Sequence, residues 1–347
     1  MFRSRRVVTV AVAAILATGV AACGSDQENP QPPEPGDGTI TIYSGRSEEL
    51  VGPLLERFEQ ETGIQVEVRY GNTAQMAAQI LEEGERSPAD VFYAQDAGAL
   101  GAVAKAGLFA PLPDEVLQRV PEPYRSGTGE WIGVTGRARV LVYNSDKLDE
   151  SDLPRSVFEL TEPQWRGRVG VAPTNGSFQA FVTGMRVMHG DERTMQWLQD
   201  LAANDPQIRD SNAPIVADVD EGRIDVGLVN HYYLYERAKE LGVEVDQLTA
   251  RNYYFPDGDI GSMVNVSGVG VLRHSADDPD VRAFLDFLLS EDAQLYFAEE
   301  TSEYPMIEVS GPAGLPSLSD LPAPEIDLND LDSLEETVAM IAESGLA

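Results

Sequence analysis

The sequence predicts an α/β protein, with a mainly parallel sheet flanked by helices and spread over two domains. Three observations predict it. After residue 38, short apolar or alternating runs take turns with longer segments of helical period. Glycine, asparagine and serine cluster at the junctions between them, where turns and helix caps are needed. About 310 residues follow the N-terminal region, enough for two domains of ordinary size.

The N-terminus stands apart from this pattern. Residues Met1–Arg6 carry three arginines, Val7–Val20 is an apolar run, and Val20-Ala21-Ala22 leads into Cys23. A basic start, an apolar stretch too short to span a bilayer comfortably, and small residues before a cleavage point make a secretory signal. The segment resembles a bacterial lipoprotein signal, with residues 1–22 removed and Cys23 lipidated. Cys23 is the single cysteine of the chain, so acylation leaves no thiol for a disulfide, a zinc site or cysteine catalysis. Lipid there tethers a protein to a membrane without a transmembrane helix. Residues 23–38 complete a proline-rich, acidic stretch that has too little apolar surface to fold and reads as a solvated spacer.

The strand and helix grammar begins at Thr39. Thr39–Tyr43 reads as a strand, Glu48–Thr62 as a helix through Leu50, Leu54, Leu55 and Phe58, and Ile64–Tyr70 as a second, alternating strand. A helix over Asn72–Glu85, a strand at Asp90–Tyr93 and a small-residue helix at Ala97–Ala106 follow. The grammar restarts with strands at Arg139–Tyr143, Arg168–Ala172, Asp225–Val229 and Val266–Leu272. Helices are expected at Val281–Leu289, Glu291–Glu300 and Leu334–Ser344. Repeated strand–helix alternation puts helices on both faces of a mainly parallel sheet, and ligands in such sheets sit beyond the carboxyl ends of strands.

Candidate site residues gather at that end. Tyr232 and Tyr233 follow the strand at 225–229; in a regular strand their side chains would diverge, whereas in a helical first turn both hydroxyls converge. The pair is then either a set of hard-oxygen ligands or one core ring beside one surface ring. Thr174-Asn175-Gly176-Ser177, at a strand-to-helix turn, offers free N–H groups and hydroxyls to an anion, or else a simple helix cap. Asn212, in the polar turn Asp210–Pro214, reaches a ligand or caps a helix; Ser44–Ser47 is a third such turn. His231 beside the tyrosines reads as hydrogen-bonded or exposed, because its neighbours in an extended segment point elsewhere. Tyr43, Tyr143, Tyr235, Tyr253 and Tyr254 are assigned to core or rim. Arg46 and Arg137 read as surface ion pairs, with an anion in the cleft as the alternative partner.

Taken in order, Ile42-Tyr43-Ser44-Gly45-Arg46, Ser87-Pro88-Ala89-Asp90-Val91-Phe92-Tyr93, Pro163-Gln164-Trp165-Arg166-Gly167-Arg168, Pro173–Phe178, Asn230-His231-Tyr232-Tyr233, Tyr296-Phe297-Ala298 and Glu303-Tyr304-Pro305 resemble the ferric-ion-binding proteins of bacterial iron ABC importers. The resemblance runs from Thr39 to the C-terminus. It implies a two-lobed clamshell of the periplasmic-binding type (type II), each lobe a mainly parallel sheet flanked by helices, joined by crossover hinge strands. The expected division is residues 39–138 and 264–313 in lobe 1, 139–263 in lobe 2, and a C-terminal helical segment, 314–347, packing on lobe 2. Tyr232 and Tyr233 match the family's tyrosinate iron donors. Asn175, Gly176 and Ser177 match its anion-holding turn, and Asn212 and Asn230 match supporting polar residues. Phe178 stands where some relatives place a further tyrosine. Ser47 occupies the position of a ligand histidine and Gln95 that of a ligand glutamate; each is at most a weak or indirect contact. Asp96 is the nearest carboxylate, and acts as a helix N-cap unless its turn aims it inward.

Fe(III) is a hard cation suited to phenolate oxygen, and two phenolates leave one positive charge uncompensated. Carbonate, phosphate or citrate on the 175–177 turn would supply it, so an anion-dependent site is expected. The expected partners are an ABC permease with its ATPase, met by a lipid-anchored monomer at the outer face of the cell membrane. A net charge of −33 argues against nucleic acid and against adhesion to anionic lipid. Two other functions stay open: the same clamshell holding a polyamine, a phosphorylated compound or an iron chelate without direct tyrosine ligation, and an extracellular enzyme. The sequence contains no nucleophile elbow, Walker loop or credible triad for the last.

Overall fold

The computed structural model describes residues 36–309 and 315–346. Cys23, the signal segment and the spacer through residue 35 lie outside the described residues. The last spacer residues are anchored: Gly36 N–H donates to Asp278 Oδ1 at 3.2 Å and Gly38 N–H to Asp280 Oδ2 at 2.9 Å.

Strands β1 (Thr39–Ser44), β2 (Gln65–Tyr70) and β3 (Val91–Ala94) alternate with helices α1 (Glu48–Thr62), α2 (Thr73–Glu83) and α3 (Ala97–Lys105). The short α4 (Asp114–Leu117) precedes β4 (Trp131–Asn144). Next come β5 (Val169–Val171), α5 (Gly176–His189), α6 (Asp191–Ala203), β6 (Gln207–Ile208) and α7 (Asn212–Asp220). After β7 (Val226–Asn230), α8 (Tyr233–Leu241) and β8 (Ala250–Tyr253), the chain returns through β9 (Val264–Val271), α9 (Pro279–Leu288), α10 (Glu291–Glu300) and β10 (Tyr304–Pro305), and ends in α11 (Leu334–Ser344).

The strand order is β2-β1-β3-β9-β4-β7-β5-β6, with β8 and β10 also paired to β4. Pairing is parallel where β1 meets β2 and β3, and where β5 meets β6 and β7. Every pair that includes β4 or β9 is antiparallel, so the sheet is mixed rather than mainly parallel. The cause lies in β4, whose fourteen residues are all buried. Its first half pairs with β9 and its second half with β7 and β8. One strand therefore serves two sheet regions.

Each region has its own core. The first packs α1, α2, α9 and α10 around β1, β3 and β9, with Phe58 wedged against Phe284 and Phe287. Beyond residue 138 the alternation of β4 feeds opposite faces: Leu141 and Tyr143 join Trp165, Phe178, Phe181 and Trp197, while Val140 and Val142 join Ile215, Val216 and Val229.

The C-terminal segment touches both regions, where the sequence placed it on the second alone. Ile341 and Leu346 lie in the core around Trp197, but Leu328 and Leu331 lie in the first core. Two glycines of α3 allow it: a Cβ on Gly98 would stand 2.3 Å from Leu331 O, and one on Gly101 2.8 Å from Asn329 O. Trp131 Nε1 then donates to Asn329 Oδ1 at 2.8 Å.

Candidate functional site

β7 stops at Asn230 and the chain turns at once into α8, with Tyr232 at φ −69°, ψ −22° as its N-cap residue. Helical backbone at this point replaces the strand geometry that would splay neighbours apart. The Tyr232 and Tyr233 rings stack, with centroids 4.4 Å apart and planes at 28°. Both are half-buried. Burial, and then the adjoining Tyr233 phenol, push the Tyr232 phenol well above its ordinary range, while Arg137 acts in the opposite sense.

His231 is fully buried. Its Nδ1 accepts the Ala138 N–H at 3.2 Å, which leaves the proton on Nε2 to be donated to Ser302 O at 2.8 Å. The ring stacks on Tyr304 at 4.4 Å. Both nitrogens are occupied, so His231 braces the turn and is not free to bind a metal.

The polar residues expected to hold an anion meet in one network. Asn175 is the N-cap of α5, and its Oδ1 accepts from Ser177 N at 3.0 Å, Ser177 Oγ at 2.6 Å and Asn212 Nδ2 at 3.2 Å. Asn212 Nδ2 also donates to Ser177 Oγ at 3.1 Å. Asn175 caps its helix and its oxygen also joins this network. A Cβ on Gly176 would meet nothing within 4 Å, so the turn opens outward there.

At the centre stands Arg139, which sequence reasoning passed over. It lies directly opposite Asn230 in the β4–β7 register. Its Nη1 donates to Ser177 Oγ at 3.2 Å, Asn230 Oδ1 at 3.3 Å and Asn212 Oδ1 at 3.5 Å, and its Nη2 to Leu228 O at 2.9 Å. The side chain is 2% exposed and its Nε has no partner. Burial pulls the guanidinium down to about 9, and the Tyr233 and Tyr232 phenols are the charges that oppose this. A cation inside an otherwise apolar Arg-Val-Leu-Val-Tyr strand was the available signal, since burying an unpaired charge is costly without a compensating group.

Arg46 and Arg137, expected at the surface, are both buried. Arg46 makes a bidentate pair with Glu303, at 2.7 and 3.2 Å, and Arg137 Nε lies 3.6 Å from the same carboxylate. The β10 turn brings Glu303 to the end of β1 and the middle of β4, which no local pattern announces. Burial works against the Glu303 carboxyl, yet the two guanidiniums hold it below its ordinary value. The triad keeps one unbalanced positive charge near Tyr232.

The remaining candidates make no hydrogen bond to this network. Ser47 is the exposed N-cap residue of α1 and makes no side-chain cap bond. Gln95 is exposed. Asp96 caps α3, accepting from Ala99 N at 3.1 Å, and burial raises its carboxyl. Among the described residues, no three His, Cys, Asp or Glu side chains are placed to hold a metal ion.

The sequence profile described as bacterial extracellular solute-binding protein matches residues 86–333. The chain belongs to this family. The solute-binding protein is 32% identical over 342 residues to the Fe(3+)-binding periplasmic protein of Serratia marcescens, covering 98% of this chain and 97% of that one. It is 32% identical to the major ferric iron-binding protein of Neisseria meningitidis serogroup B, over 88% of this chain and 93% of the relative. Its fold matches iron-bound HitA from Pseudomonas aeruginosa with a TM-score of 0.79 at 37% identity, covering 88% of this chain and 99% of HitA. The Trichodesmium protein IdiA (FutA), in complex with iron and citrate, matches with a TM-score of 0.75 at 26% identity, over 89% of this chain and all of the other. The solute-binding protein therefore has the two-lobed periplasmic-binding architecture. No helix among its described residues is long and apolar enough to cross a membrane.

Proposed function

We propose that the solute-binding protein captures ferric iron outside the membrane and delivers it to an ABC permease. Tyr232 and Tyr233 act as its metal donors, with carbonate, phosphate or citrate as co-ligand on Asn175, Gly176, Ser177, Asn212 and Asn230. The observation that carries this reading is the pair of stacked phenols beside a buried guanidinium that lacks a carboxylate. Ferric charge drives off the phenolic protons, and the buried cation favours both the resulting phenolates and an added anion. Ser47 and Gln95, both exposed, add no strong donor, which makes the anion more important. The relatives named for ferric iron support the choice of cargo.

In this reading residues 39–138 and 264–313 form one lobe and 139–263 the other, with β4 and β9 as the hinge. A lipid on Cys23 holds the monomer at the outer face of the cell membrane, beside the permease and its ATPase.

The test is optical. Iron with a coordinating anion should produce a visible phenolate-to-iron charge-transfer band in the soluble protein lacking residues 1–23. Tyr232→Phe or Tyr233→Phe should abolish it together with most of the iron binding. Iron that binds equally well with no coordinating anion, while still contacting both tyrosines, would sink the anion requirement. A bound organic ligand with no band would favour simple stacking on the tyrosines.

A further inference from the structure

Arginine can only donate hydrogen bonds. Arg139 therefore settles which end of each neighbouring amide faces it: the oxygens of Asn212 and Asn230 must point inward, with the Ser177 hydroxyl oxygen beside them. Asn175 is settled as well, because its Oδ1 accepts three donors. The amide groups that remain toward solvent are all donors. Asn175 Nδ2 and Asn230 Nδ2 have no hydrogen-bond partner among the described residues and are not sealed from solvent. Gly176 N–H is the first amide of α5 and points out of the helix end. These three donors border the network around Arg139, whose guanidinium is buried with its Nε unpartnered.

We propose that Arg139 is the positioning residue of the anion site: by taking the acceptor oxygens of Ser177, Asn212 and Asn230, it leaves amide nitrogens rather than amide oxygens to face the cleft and so selects an oxyanion. The selected face carries unprotonated acceptor oxygens, as in carbonate, a carboxylate or a phosphate dianion. Ligands that lead with N–H or O–H donors meet donors and are rejected. The guanidinium itself stays buried and acts through the amides it orients. This deepens the ferric reading and rests on it only for the identity of the cargo.

Phosphate and citrate are titrated calorimetrically into the iron-free protein, as wild type, Arg139→Gln, Arg139→Lys and Asn230→Asp. Asn230→Asp is nearly isosteric and gives Arg139 a counter-ion, so it should fold, yet it turns the outward donor into an acceptor. Affinity should fall by about tenfold or more in Arg139→Gln and Asn230→Asp, the scale of one unsatisfied polar contact. Arg139→Lys should fall between these and wild type. If Arg139→Gln does not fold, Asn230→Asp decides. Affinity within twofold of wild type in Asn230→Asp, or a wild type that binds neither anion, would overturn the proposal. The same proteins are then given iron: Arg139→Gln should keep a phenolate band whose wavelength no longer follows the anion supplied. A wild type that binds phosphate but shows no band would sink the ferric reading and leave the role of Arg139 standing.

Discussion

At the scale of single residues, His231 and Glu303 hold the tyrosine turn in place by opposite electrostatic means. His231 is buried neutral, and burial brings it down to about 4 from an ordinary value near ~6.5. Between these values the unfolded chain binds the proton that the folded chain refuses. The stabilisation is thus complete above about 6.5 and is lost as pH falls through the folded value. Its ceiling is roughly 3 kcal/mol, from about 1.4 kcal/mol per pH unit. Thermal midpoints measured from pH 7 to 4.5 should fall, and should fall less steeply in His231→Asn. Glu303 is charged and shared by two buried arginines. Glu303→Gln strands both guanidiniums and should cost about 3–5 kcal/mol in chemical denaturation. The histidine was legible only as hydrogen-bonded or exposed, and burial decided for the first. The buried ion triad was not, because its members come from positions 46, 137 and 303 and each looks like a surface charge by itself.

Among the elements, β4 and the C-terminal strap carry what local pattern could not reveal. Residues 139–143 read as a strand because three apolar side chains stand together there. Residues 131–138 did not, because Gly133, Gly136 and Arg137 interrupt the pattern. Those glycines are there for close packing: a Cβ at Gly133 would stand 2.7 Å from Tyr124 O, and one at Gly136 2.9 Å from Met306 Cε. By contrast α1, α10 and α11 begin and end at the residues their helical spacing indicated. The strap lies against α3 through missing side chains, and absence leaves no apolar signature. Gly98→Ala should push Leu331 away and destabilise the protein by about 1–3 kcal/mol. Hydrogen exchange across residues 328–346 should then quicken while α1 and α9 stay protected.

For the whole molecule, β4 and the C-terminal segment link two cores, and the candidate donors follow β5, β6 and β7 of the second. A cargo held by both tyrosines and the anion network stabilises the folded protein alone. Excess iron with phosphate or citrate should therefore raise the thermal midpoint, by the equivalent of about 2.7 kcal/mol at a hundredfold excess over the dissociation constant. Tyr232→Phe should lose most of that rise. Differential scanning calorimetry with and without the anion checks both.

The sequence by itself determined the α/β class, the bounds of α1, α10 and α11, and the tyrosine pair and polar turn as candidates for a site. Each is written in neighbouring residues, as apolar period, as a cap or as a dipeptide at a strand end. Only the tertiary structure decided that the tyrosines stack in a helical turn, that Ser177, Asn212 and Asn230 share one arginine, and that Arg46 and Arg137 share one glutamate. Those relations join positions far apart in the chain, and what fixes them is the cost of burying charge and polar groups without partners.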